Sequence, residues 1–193
     1  MRHFSFRPSL TVRGRKFRGV RGWAGKPSHP PLTDVPIAAY MFAAAFDVLS
    51  VLVSKSHHAL SAEFFHAASW TLVGGAAVSL LTAYTGYVDW KKTSEPGTQA
   101  RRTVNAHAII MLSVTALVLV DLIVRLTTSL HAASTPWGLT ILSVVAALGV
   151  ATGATIGGSL VFDYGFNVET GGDHPVWHHS EADVMSHQKD PSA

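Results

Sequence analysis

The residues of this chain able to do chemistry are its histidines and a few charged groups set inside apolar runs. His29 lies just before the first apolar run, and His107 lies about one turn inside the third. Both fall at the same membrane face, together with Asp34 and Asp89. Two neutral imidazoles facing each other across a helical bundle could supply the axial ligands of a b-type haem, because haem iron accepts two nitrogen donors and apolar helices cover the macrocycle. His107 also shares a helix face with Met111, Asp121 and Arg125 at the 3.6-residue period. The competing reading makes His107 a hydrogen-bonded interior histidine and has His29 cap or anchor the entering chain against Asp34 or Asp89. A second haem layer would ask for another histidine roughly four turns along the same helix. Asp121 stands there instead, so one haem is the most the spacing supports.

Ionisable residues inside a span are costly and mark candidate sites. Asp47 lies about 18 Å along the first helix from Val35 and Asp121 about 22 Å along the third from Ala106, at 1.5 Å per residue. The two acids therefore sit at similar depth, towards the opposite face from His29 and His107. Arg125, four residues beyond Asp121, can pair with it. Asp47, Asp121 and Arg125 read either as an ion cluster locking helices one and three together or as part of a proton or ion path. A transporter would carry broken helices or an internal repeat, and the sequence displays neither.

Small residues complete the pattern. Gly149, Gly153 and Gly157 recur every fourth residue in the fourth run, and Gly75, Ser79, Thr82 and Gly86 form a similar stripe in the second, ending at Asp89. Such grooves serve close helix contact in lipid; Gly153 and Gly157 could equally let a flat haem or quinone ring approach the backbone. His57, His58, His66 and His131 fall in loops or at helix mouths, where solvation is the simpler role. No phosphate loop, nucleophile elbow or paired-carboxylate pattern occurs, which removes support for hydrolase and nucleotide-binding functions. Cysteine is absent, so disulfides and thiolate-held metals are excluded.

The elements that must position these groups are membrane helices. Of 193 residues, 48% are hydrophobic and 14% charged, against roughly a quarter charged in soluble domains. Four runs are long enough to cross a hydrocarbon core of about 30 Å: about 35–53, 67–88, 104–126 and 137–162. Thr33 or Asp34 is the expected first N-cap, with Pro36 in the first turn. Lys and Arg are retained on the cytoplasmic side. Arg2, Arg7, Arg13, Arg15, Lys16, Arg18, Arg21 and Lys26 precede the first span, and Lys91, Lys92, Arg101 and Arg102 separate the second from the third. The other two loops hold only Lys55 and Arg125, so both termini are expected in the cytoplasm. The fold expected is thus an all-α four-helix transmembrane bundle over 34–165, N-in and C-in, with a basic arm at 1–33 and a polar tail at 166–193. The arm should lie on anionic headgroups rather than on nucleic acid. The tail carries His174, His178, His179 and His187 and reads as an interaction segment.

The string His29 to Ala38 (HPPLTDVPIA) followed by Phe46-Asp47 resembles the bacterial membrane family called domain of unknown function 2231. Matching motifs are Thr85-Gly86-Tyr87-Val88-Asp89-Trp90, then Arg102 and His107, Arg125, and Gly157-Gly158-Ser159-Leu160-Val161 near Tyr164-Gly165. The resemblance spans roughly 25–170. It implies a four-helix bundle similar in architecture to the cytochrome b561-type membrane cytochromes, and some relatives are fused or neighboured to Rieske-type iron–sulfur domains. Many members carry a second histidine where this chain has Asp34. The function expected is a b-type haem electron-transfer component of the bacterial inner membrane, working with a quinone or with other redox subunits. A non-catalytic anchor or assembly subunit is the alternative, and a proton-coupled transporter the third.

Overall fold

In the computed structural model, residues 18–22 and 27–168 are described; the rest of the basic arm and the histidines of the tail lie outside them. Four helices follow one another: α1 (His29–Val53), α2 (His58–Thr93), α3 (Gln99–Thr128) and α4 (Trp137–Phe162). Each is long and apolar enough to cross a membrane. α1 packs on α2 and α4, and α3 packs on α2 and α4, while α1 and α3 face each other across the diagonal. Short connections and this ring order give an up-down-up-down bundle. His29 and His107 lie at the end where α1 and α3 begin, and Arg125 lies near the other end.

The distribution of residue types is that of a bundle turned towards lipid. Leu52, Trp70, Ile109, Leu148 and Phe162 are exposed, whereas Asp47, Ser50, Ser61, Asp121, Arg125 and Ser143 are buried. A bundle in water would reverse that assignment, because apolar burial drives its folding. Here the apolar belt meets acyl chains, and the interior is closed by small residues and hydrogen bonds. Tyr40, Ala43, Ala68, Leu72, Val118, Ala146 and Val150 form the central packed layer.

Helix ends depart from the spans read by hydropathy. α1 begins at His29 rather than near Val35, with Ser28 in the N-cap position and Pro30 and Pro31 in the first turn. Proline is accepted there because those N–H groups have no intrahelical partner. Thr33 and Asp34 are therefore inside the helix, not caps. Pro36 is interior as well, and its missing N–H leaves the Leu32 carbonyl without its helical donor. Thr82 Oγ1 on α2 donates to that carbonyl at 3.1 Å. α2 extends from His58 through 36 residues, because Glu63 and His66 are exposed on a helix that simply continues past the apolar slab. Between α2 and α3 the chain turns at Gly97, with φ of 84°, and Thr98 Oγ1 caps α3 by accepting from Arg101 N. Arg101 then fastens the turn. Its guanidinium lies 3.8 Å over the Trp90 ring and donates to the carbonyls of Trp90 at 2.9 Å and Ser94 at 3.1 Å.

Candidate functional site

The two histidines are held alike. α1 places His29 against α2, where Nδ1 meets the Thr82 carbonyl at 3.0 Å and Thr85 Oγ1 at 3.2 Å. α3 places His107 against α4, where Nδ1 meets the Gly153 carbonyl at 2.8 Å. A carbonyl oxygen can only accept, so each Nδ1 carries the proton. In the neutral rings Nε2 then keeps its lone pair, and neither Nε2 has a hydrogen-bond partner among the described residues. Four residues beyond each accepting carbonyl stands a glycine under the ring. A Cβ on Gly86 would lie 2.7 Å from His29 Cε1, and one on Gly157 would lie 3.1 Å from His107 Cε1. Both glycines are needed to seat an imidazole.

The glycine faces are thus occupied from within the bundle. His107 covers Gly157, Met111 covers Gly153, and Val114 covers Gly149. That is the close-contact role of the stripe, with an imidazole rather than a cofactor ring against Gly157. Asp34 is exposed on α1 and is not gathered with the histidines. Asp89 is buried one turn beyond Gly86, where its Oδ1 accepts from Val20 N at 3.1 Å. Ser28 in turn holds the Val20 carbonyl through its N at 3.0 Å and its Oγ at 2.9 Å. The entering chain is therefore anchored to Asp89 through Val20, and His29 takes no part in that anchor.

At the opposite end, Arg125 is wholly buried. Its Nε donates to Asp121 Oδ1 at 2.6 Å, its NH1 to Asp47 Oδ1 at 3.0 Å, and its NH2 bonds Asp47 Oδ2. The guanidinium thus grips Asp47 with both terminal nitrogens across the bundle diagonal. Thr135 Oγ1 adds a donor to Asp47 at 3.0 Å, and Ser69 Oγ lies 3.4 Å from NH1. Ser50 and Ser61 exchange hydroxyl bonds with each other's carbonyls beside this cluster, at 2.8 and 2.7 Å. Ser69 and Thr135 carried no sequence signal, since hydroxyl residues are common in membrane helices and loops.

Asp47 and Arg125 are separated by 78 residues, the same offset that separates His29 from His107. The hairpins α1–α2 and α3–α4 therefore repeat one arrangement: a histidine in the half where the first helix begins, bonded to a carbonyl one turn before a glycine on the second. At the far end the positions paired by the same offset carry opposite charges, Asp47 and Arg125.

A family model described as "Predicted membrane protein (DUF2231)" matches residues 25–170. The chain belongs to this family. The matched stretch contains His29, His107, Asp47, Asp121 and Arg125, so both ends of the bundle lie in the DUF2231 region. No curated protein and no solved structure matches the chain. Among the described residues there is no group of three or more His, Asp or Glu side chains placed to hold a metal ion.

Proposed function

We propose that this DUF2231 protein is a multi-pass redox subunit of a bacterial inner membrane, holding one b-type haem between His29 and His107. The observation that carries the reading is the repeated seating of the two imidazoles. Each rests on a glycine, each gives Nδ1–H to a main-chain carbonyl, and they stand on the diagonal helices α1 and α3. Histidines that ligate metals characteristically donate their other ring N–H to a carbonyl, which fixes the ring and raises ligand basicity. Two such donors match the needs of a six-coordinate haem iron and fall short of those of a tetrahedral metal site. When bound, the haem supplies one-electron transfer. The residues of the chain would hold it, orient the two rings and exclude water with the apolar layer beyond Tyr40.

The positive-inside rule supports placing the histidine end in the cytoplasmic half, with the basic residues of the arm and of the α2–α3 turn on anionic headgroups. Electrons would then pass to or from a quinone or a partner redox subunit at that face. The test is an absorption spectrum with a pyridine haemochrome assay on protein purified from haem-replete cells. A Soret band in the wild type that is lost in His29→Ala and in His107→Ala is the expected result. A folded but colourless wild type overturns the reading and favours the non-catalytic anchor.

A further inference from the structure

The ion cluster opposite the histidine end does not balance in charge. Two acids, Asp47 and Asp121, close on one guanidinium, and all three side chains are at most 1% exposed. Among the described residues Arg125 is the only buried Lys or Arg. The elements packed around it bring no second cation. α2 contributes Ser69 and the Phe65 ring, 5.5 Å from the guanidinium carbon, and the titratable residues that flank Phe65, Glu63 and His66, are exposed. The α3–α4 loop contributes Thr135, and α4 has no titratable side chain between Trp137 and Phe162. With both acids ionised, the cluster would hold one negative charge in excess, away from water. A buried charge without a counterion is neutralised rather than kept, because the desolvation of an isolated carboxylate is so costly.

The hydrogen bonds distinguish the two acids. Both oxygens of Asp47 are bonded by the guanidinium, and Thr135 Oγ1 adds a donor at 3.0 Å. Three donors suit an acceptor-only carboxylate. Asp121 is firmly bonded at one oxygen: Oδ1 accepts from Nε at 2.6 Å, whereas Oδ2 has only NH2 at 3.4 Å, longer than an ordinary N–H···O bond. We propose that Asp121 binds one proton at Oδ2, so that the cluster carries no net charge. A metal cation does not suit the place, since it needs several oxygen ligands and the guanidinium already occupies both oxygens of Asp47 and one of Asp121. The diagonal lock between the hairpins is thus completed by a proton. This site is independent of whatever His29 and His107 hold.

The experiment is infrared difference spectroscopy of the full-length protein in lipid vesicles at neutral pH, wild type minus Asp121→Asn and wild type minus Asp47→Asn. Asparagine at position 121 keeps an acceptor for Nε. Both differences are expected to show the loss of one protonated carboxyl C=O band, identified by its shift in heavy water, with no change in ionised carboxylate. The Asp47→Asn result follows because one acid then remains for one guanidinium, and Asp121 gives up its proton to pair with it. A wild type minus Asp121→Asn difference made of carboxylate bands alone overturns the proposal, and carboxylate bands that shift with sodium concentration overturn it in favour of a bound cation. A protonated band that survives Asp47→Asn overturns the charge balance on which the proposal rests. If Asp47→Asn does not fold, the Asp121→Asn difference decides alone.

Discussion

Replacing Arg125 with methionine keeps the length of the side chain and removes its charge and all its donors. Asp47 then loses two guanidinium bonds and keeps the one from Thr135, while Asp121 loses the 2.6 Å bond to Nε. Both carboxylates are at most 1% exposed. Breaking a buried ion pair by deleting one partner costs about 3–5 kcal/mol, because the stranded charge is not returned to water. Two stranded acids place Arg125→Met at the upper part of that range, roughly a thousand-fold in the folding equilibrium. The assay is reversible unfolding in mixed detergent micelles, monitored by helical circular dichroism. The companion variant Asp47→Asn/Arg125→Met gives the coupling, and it should be less destabilised than the sum of the singles because Asp47 acts mainly through Arg125. A loss below about 1 kcal/mol for Arg125→Met alone, the scale of an exposed pair, would refute the claim that this cluster joins the two hairpins.

Gly86→Ala and Gly157→Ala should each disturb the histidine end, Gly86→Ala more severely because its Cβ would stand 2.7 Å from the His29 ring against 3.1 Å at His107. Gly158→Ala, whose Cβ would meet nothing within 4 Å, should behave as wild type; haem content and thermal midpoint of the three variants decide the matter. Arg101→Ala should cost about 1–3 kcal/mol through the lost Trp90 stacking and carbonyl bonds. Arg102→Ala, which removes an exposed side chain bonded to Gln99 and Gly97, should cost under about 1 kcal/mol, as measured by the same unfolding assay and by protease resistance of the α2–α3 turn.

Much of the fold follows from a simple physical constraint: a chain segment that must leave water has to be about 20 apolar residues long and helical. That constraint locates the four spans. It does not locate their ends, because His29, Glu63 and His66 continue a helix into a region where polarity is no longer penalised. The charged cluster was legible for a related reason, since Asp47, Asp121 and Arg125 have no inexpensive place in a membrane except beside one another. That the cluster would link helices one and three was legible too; the two-pronged grip of Arg125 on Asp47 and the added Thr135 donor were not, because they depend on ring order and on a loop. The glycine stripe announced close approach without naming the visitor. That His107 and Met111 fill it depends on the axial offset between α3 and α4, which no local pattern encodes. Likewise, nothing near His29 in the chain indicates that its partners are Thr82 and Thr85, and Asp34 was drawn into the same layer by depth alone although it lies on the outer side of α1.

The diagonal salt bridge also has a consequence for how the protein is made. Asp47 is synthesised 78 residues ahead of Arg125, a lag of on the order of 4–16 s at about 5–20 residues per second. During that interval the first hairpin carries an acid with no basic partner at its depth. An uncompensated carboxylate within a span costs about 2.5–3.5 kcal/mol on insertion scales, a cost offset when the second hairpin delivers the guanidinium. A chain truncated before Arg125 therefore keeps Asp47 within its span without the guanidinium that pairs it.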